Sequence, residues 1–307
     1  MNTIHTHPGQ PQMQAEVILA SSSDGLPNIY TIRLRYPRFI HAELMTHRVF
    51  SRNARSSRAV PIKRMIQEVC DTPVVPWHWG KNQKGMQAGE ECNNTVRLPV
   101  YYTPCDAFEN HEAWLHARDH AVDVAKGFMD AGYHKQIVNR LLEPFMWIDV
   151  LVTSTDWENF FWLRDHEDAE PHIQDLARLI RIAINTCNIQ DLEPGDWHLP
   201  YINIQDKDHG NSVCGIRGSD VDSWLCKISA ARCARISYAP FDGDASYERE
   251  LQRYDSLVRS DRIHASPLEH QATPDIPTVF YRWESSDSHG NFQGWVQYRK
   301  TIPGERK

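Results

Sequence analysis

Between residues 31 and 64 the chain places nine Arg or Lys side chains (33, 35, 38, 48, 52, 55, 58, 63 and 64) against one acid, Glu43, although the whole protein carries a net charge of −7. Guanidinium forks at this density match the geometry of phosphate oxygens. A solvated basic face is the competing reading of the same composition. The tract THRVFSRNARSSR favours a phosphate-bearing ligand. It sets Arg48 and Arg58 among Ser51, Asn53, Ser56 and Ser57, with few bulky side chains, so that a backbone can approach phosphates closely. Trp77, Trp79 and Tyr36 lie near the same tract. Aromatic rings that stack on bases, with arginines along the phosphates, would instead make a single-stranded nucleic-acid surface. The acidic balance of the whole chain weighs against that alternative.

Other chemistries are not encoded. There is no glycine fingerprint for a dinucleotide, no P-loop and no GxSxG nucleophile turn. His111-Glu112 begins like a zinc-protease helix, but position 115 is Leu, and His116 and His120 at i,i+4 read as a solvated helix face. The seven cysteines form no CxxC pair, which points to reduced thiols in a cytoplasmic setting. With 307 residues, 41% hydrophobic and 24% charged, the chain can bury a full core, and no apolar run approaches the roughly 20 residues of a membrane span.

The elements that must position the basic tract are legible in part. Residues 15–20 and 28–36 read as strands, the second alternating apolar and basic side chains. Pro37 then opens a helical pattern through Phe39, Ile40, Leu44 and Met45. Residues 51–61 read as an ordered loop and 145–153 as a buried strand. Helices are expected over 109–142, 168–187, 221–236 and 246–259. Residues 1–14 read as a loose tail, 71–108 as irregular, and 189–220 as a Pro/Gly/Asp-rich excursion.

On these residues the sequence resembles the flavin-dependent thymidylate synthases. Their signature, Arg-His-Arg followed by seven residues and a Ser, corresponds to Thr46-His47-Arg48, VFSRNAR and Ser56, continuing to Arg58. Residues 30–48 run without a gap along the family's strand, Pro and helix. DWENFFWLRDHEDAEPHIQDLA, at 156–177, resembles the second signature helix, and Arg140 in NRLLEP matches an Arg used on the nucleotide. SAARCARISY (229–238) and His264-Ala-Ser-Pro-Leu-Glu-His270 resemble segments that the family carries ahead of the basic tract. Their position here implies a circularly permuted, divergent, phage-like member, in which His270 lies close to Tyr30 and the 229–238 helix shares a core with the 37–48 helix.

The resemblance implies an α/β fold, a twisted sheet with long helices, forming a single domain over 1–307 with insertions at about 66–108 and 188–222. It implies an FAD enzyme that moves a one-carbon unit from methylenetetrahydrofolate to C5 of dUMP, with NADPH as reductant, to give dTMP. The alternative substrate is another deoxypyrimidine monophosphate, such as dCMP. It also implies a cytoplasmic homotetramer. Arg164 takes the catalytic role, stabilising the anionic pyrimidine. Glu43, Ser56, Ser57, Arg58, Arg140 and Arg164 go to the nucleotide, and Thr46, His47, Arg48, Thr153, Thr155, Asn159 and Ser266 to FAD. Glu269 and His270 would fix the loop of Ser266. Thr46 stands where the family has Arg, and Ala54 where it has Glu or Gln. The QYRK segment, Gln297 to Lys300, is a candidate to return a cation.

Overall fold

The computed structural model describes residues 3–98, 107–217, 220–236, 244–259, 263–278 and 283–305. Strand β1 (Ile4–His7) turns at Pro8-Gly9 into the long β2 (Gln10–Ser22), which pairs with β3 (Ile29–Pro37). The expected loose tail is therefore β1 and the start of β2, continuous with the strand expected at 15–20. Met13, Ala15 and Val17 alternate inward along β2, and this burial draws the N-terminus into the sheet. A short 3₁₀ turn leads into α1 (His41–Met45). Next comes β4 (Ser51–Ala54), a strand where a loop was expected, because its backbone pairs with a strand almost 100 residues later.

Helix α2 (Ile62–Asp71) follows. The stretch after it is irregular as expected, with the small pair β5 (Val96–Arg97) and β6 (Ala107–Phe108). The expected 109–142 helix is broken. Helix α3 (Asn110–Asp130) ends before Gly132, whose φ of +83° suits a left-handed helix stop. Helix α4 (Lys135–Val138) then passes into a 3₁₀ segment over Asn139–Phe145.

Strand β7 (Trp147–Ser154) is central, pairing antiparallel with both β3 and β4. Helices α5 (Glu158–Arg164) and α6 (Pro171–Thr186) follow; Pro171 opens α6, and the Glu170 side chain accepts from Ile173 N at 3.0 Å. Strand β8 (Gln190–Asp191) adds parallel to the end of β2. Helices α7 (Ile204–Arg217), α8 (Val221–Ala234) and α9 (Tyr247–Val258) come next, and β9 (Ala272–Pro274) pairs with β10 (Trp295–Gln297). The result is a mixed α/β fold on a mostly antiparallel sheet of order β1-β2-β3-β7-β4, with β8 on β2. Among the described residues no helix is long and apolar enough to cross a membrane.

The two faces of the sheet do different work. Ile32, Leu34 and Tyr36 face Val152, Val150 and Ile148 across the β3–β7 ladder, and this surface is covered by Ile173, Leu176, Ala177 and Ile180 of α6. The opposite face carries Thr31, Arg33 and Arg35 beside Thr153, Leu151 and Asp149. Helix α8 covers it, with Asn53 Nδ2 donating to Cys233 O at 2.8 Å. Helix α8 buries Leu225, Ile228 and Ala231 with Tyr254, Leu268 and Tyr298, a core distinct from the one holding Ile40 and Leu44 of α1. The expected common core of these two helices is thus replaced by two cores, one on each side of the sheet, because α8 and α1 are separated by β3, β7 and β4. The end of the 229–238 stretch lies outside the described residues.

A buried polar chain joins the sheet to the C-terminal layer. Ser21 Oγ meets His198 Nδ1 at 2.8 Å, and His198 Nε2 meets Thr31 Oγ1 at 2.9 Å. Thr31 Oγ1 is 2.7 Å from Thr153 Oγ1, which is 2.8 Å from His270 Nδ1. Thus His270 sits against the residue paired with Thr31, the neighbour of Tyr30, although its segment lies at the far end of the chain. His198 comes from the 188–222 stretch, for which the sequence offered no role. Burial pushes both imidazoles down to about 3, with His270 adding to the shift on His198. The unfolded chain binds their protons near pH 6.5 while the fold refuses them, so stability is complete above that pH and falls as pH drops toward 3. The pair should cost about 2 kcal/mol between pH 6.5 and 5.5. A double variant H198N/H270N whose denaturation midpoint keeps the wild-type pH slope would contradict this.

Candidate active site

Helix α1 is only five residues long, and its C-terminal carbonyls are satisfied by side chains from elsewhere. Arg52 Nη1 donates to Leu44 O at 3.3 Å, Met45 O at 2.9 Å and His47 O at 3.1 Å. Arg164 closes the same end from α5, with Nε donating to His47 Nε2 at 3.0 Å and Nη2 to Thr46 Oγ1 at 3.0 Å and Glu43 O at 3.4 Å. Two guanidiniums on a helix C-terminus are electrostatically matched to its partial negative charge. The contact joins residues 117 apart in sequence and brings together Glu43, Thr46, His47 and Arg164.

His47 is buried between Phe50 and Phe160, with ring centroids 5.7 and 5.0 Å away. Burial, then the charges of Arg164 and Arg52, push it down to about 4. It is neutral at pH 7, Nε2 accepts from Arg164, and the proton resides on Nδ1. Arg164 is half-buried, so its guanidinium keeps a face to solvent. Glu43 Oε2 is buried without a hydrogen-bond partner. A buried, unpaired carboxylate oxygen beside a fixed cation is where a ligand N–H or O–H would be rewarded.

A second group gathers around the turn after β4. Ser57 Oγ is 3.5 Å from Glu143 Oε1, and Asn139 Nδ2 donates to Ser57 O at 2.8 Å, fixing the turn. Arg140 approaches Glu143 at 4.0 Å and is 61% exposed, and Arg58 is exposed. Ser56 closes the turn through its carbonyl, which accepts from Ala59 N at 3.0 Å. Arg58 and Arg140 therefore extend from one rigid turn-and-3₁₀ unit with their forks in solvent.

The remaining candidates divide. Arg48 and Asn159 are exposed and Ser266 is half-buried at the start of a 3₁₀ segment. The hydroxyls of Thr153 and Thr155, in contrast, have internal partners: Thr153 in the buried chain, and Thr155 accepting from Gln293 N at 3.0 Å. The 297–300 segment does not leave a loose cation either. Arg299 pairs with Glu269, Lys300 with Glu305 at 3.0 Å, and Gln297 Nε2 donates to Ser51 Oγ at 3.1 Å. Glu269 is thereby tied to the C-terminal segment, and His270 to the sheet.

The sequence reading missed a cavity of about 680 Å³ on the second face of the sheet, which Arg33, Arg35, Arg55 and Arg64 share with Arg232 and Arg235 of the α8 region. Its partial signal was the basic alternation in 28–36; nothing local joined it to residues 200 positions later.

Fold and site together describe an α/β protein whose mostly antiparallel sheet carries an arginine-braced, partly open site at one helix end. No protein-family model matches the sequence, and no curated protein matches it. Among solved structures, the flavin-dependent thymidylate synthase ThyX of Helicobacter pylori complexed with FAD and dUMP aligns over 51% of this chain and 67% of its own, at 14% identity and a TM-score of 0.36. A second ThyX structure from the same organism, with FAD and dUMP, aligns over the same shares at 13% identity and a TM-score of 0.36.

Proposed function

We propose that this chain is a flavin-dependent enzyme of the thymidylate synthase type, acting at C5 of dUMP with methylenetetrahydrofolate as carbon donor and NADPH as reductant. The observation that carries the reading is the junction of its two signature segments: Arg164 of the second is hydrogen-bonded to His47 and Thr46 of the first. The two segments also pack through their rings, Phe50 lying against Trp157 and Phe160 at centroid distances of 4.6 and 5.4 Å. The contact of His270 with Thr153, across the ladder from Thr31, supports a permuted order of the family's segments.

Each residue then has a task. Arg164 holds a fixed charge against the polar edge of the pyrimidine, where negative charge develops as C5 becomes nucleophilic. His47, neutral and locked by Phe50 and Phe160, orients that guanidinium. Glu43 offers its unpartnered Oε2 to a donor on the nucleotide. Ser56 and Ser57 present the turn to the phosphate, with Arg58 and Arg140 as forks. FAD, when bound, supplies the hydride that completes the methyl group. Thr46, His47, Arg48, Asn159 and Ser266 are the residues that would hold it. The exposed Arg48 suits its phosphates, and the hydroxyls of Thr153 and Thr155 are engaged within the protein. Assembly into a homotetramer is part of the same proposal.

The test is NADPH-dependent one-carbon transfer by the purified protein, with dUMP and dCMP in parallel, alongside its visible flavin spectrum. Product from dUMP and a flavin spectrum are expected. Product from dCMP alone moves the reading to the related substrate. A colourless protein that binds no FAD at saturation overturns it.

A further inference from the structure

The cavity on the second face of the sheet is a different environment from the Arg164 cluster. Arg33 and Arg35 rise from β3, Arg55 and Arg64 stand on the turn after β4 and on α2, and Arg232 and Arg235 close it from the α8 side. Its volume of about 680 Å³ falls in the ordinary range of small-molecule sites. Carboxylates hold the arginines from behind and from the side. Asp206 grips Arg232 with two bonds of 2.6 and 2.8 Å, Glu68 is shared by Arg55 and Arg64 at 2.8 and 3.0 Å, and Asp149 takes Arg35 at 3.0 Å. Arg33 leans on Glu16 at 3.4 Å, and Arg235 shares the buried Glu250 with Arg253.

These pairings fix the forks without exhausting them. Each guanidinium has five N–H donors, and a carboxylate takes at most two of one fork. The Nε groups of Arg35 and Arg235 are buried and donate to nothing. Burial and the like charges of Arg253 and Arg232 hold the Arg235 pKa below its usual value, so an anion there would be favoured. Tyr201, which also lines the cavity, takes φ +64°, a conformation uncommon outside glycine, and is held in it by Arg232 Nη1 donating to its carbonyl at 2.6 Å. Such strain concentrates where a backbone is shaped to receive a ligand.

We propose that this cavity binds a small molecule carrying two or more linked phosphoryl groups, at a site separate from the Arg164 cluster. A single phosphate occupies one fork and leaves most of the volume unused. A diphosphate reaches forks on both walls, the sheet side and the α8 side. The Tyr201 ring and Ile236 are the apolar lining against which the rest of such a molecule would lie.

The experiment is calorimetric titration of the full chain with inorganic pyrophosphate and with ADP at constant ionic strength, with sulfate as the control anion. Both probes should bind with one site per chain and more tightly than sulfate. Arg235→Gln should weaken pyrophosphate at least tenfold. Arg64→Gln, at a side chain 64% exposed and so safe for folding, should weaken it about threefold. Arg164→Ala should leave it unchanged, which separates this site from the nucleotide reading of the Arg164 cluster. Binding no tighter than sulfate, binding retained in both cavity variants, or binding lost in Arg164→Ala would each overturn the proposal. So would displacement of pyrophosphate by a single-stranded oligonucleotide with higher affinity, since the cavity would then be part of a nucleic-acid surface.

Discussion

Replacing Arg164 with alanine should lower turnover on the order of 100-fold or more, with the protein still folded. The reason is the direction in which its side chain is spent. Nε and Nη2 are committed to His47, Thr46 and the Glu43 carbonyl, so the fork arrives at the site already oriented and loses little freedom when charge develops on a substrate. Because the residue ends α5 and is half-buried, truncation leaves no cavity; it removes one of two cations on the α1 C-terminus, and Arg52 remains. A loss of stability of about 1 kcal/mol or less is expected from that change. The informative companion is Arg164→Lys, which keeps the charge but not the fork. If the fork positions charge, lysine recovers little of kcat while KM for the nucleotide stays within a few-fold. Wild-type turnover in Arg164→Ala, measured with circular dichroism to verify folding, would remove Arg164 from the mechanism.

The largest effect on stability should come from Asp206→Ala, about 3–5 kcal/mol in denaturant unfolding. Asp206 is 2% exposed and accepts from both ends of the Arg232 fork, from the Tyr247 hydroxyl at 3.0 Å and from Asn203 N at 2.8 Å. Removing it strands Arg232 in a half-buried setting and frees the start of α7. Burial alone would raise this carboxyl, but the Arg232 hydrogen bonds, Asn203, the Arg232 charge and Tyr247 outweigh it and hold the group below its usual 3.8. Its contribution is therefore complete above the unfolded pKa and is lost as pH falls through the lower folded value. Asp206→Asn keeps the shape without the charge and should lie between the two. A shift under about 1 kcal/mol for the alanine variant would show that Arg232 finds another partner.

Much of this protein is written locally. The apolar alternation of 28–36, the Pro37 start, the apolar spacing of 168–187 and the strand at 145–153 all rest on neighbours within one or two turns, and each element is found within a few residues of its expected place. The two signature segments carried Glu43, Thr46 and His47 in one and Arg164 in the other, and the structure joins them. Strand β1 and the start of β2, ahead of the expected 15–20 strand, were missed because Gln, Pro and His are poor strand markers; the inward row Met13, Ala15, Val17 shows its worth only when α6 covers it. The strand β4 was missed for the same reason: a short polar run becomes a strand when β7 supplies its hydrogen bonds.

By itself the sequence determined the elements with a clear apolar period, the density of arginines and four of the residues that meet at the end of α1, Glu43, Thr46, His47 and Arg164. Only the tertiary structure decided which of those arginines act together. Arg33 and Arg35 alternate with Ile32 and Leu34, so β3 must turn its basic side away from α6, and whatever covers that side becomes their partner. That cover is α8, about 200 residues away, and it brings Arg232 and Arg235 to the cavity. His198 and His270 reach Thr31 and Thr153 by the same route. Periodicity specifies a face; the long-range packing of that face specifies its chemistry.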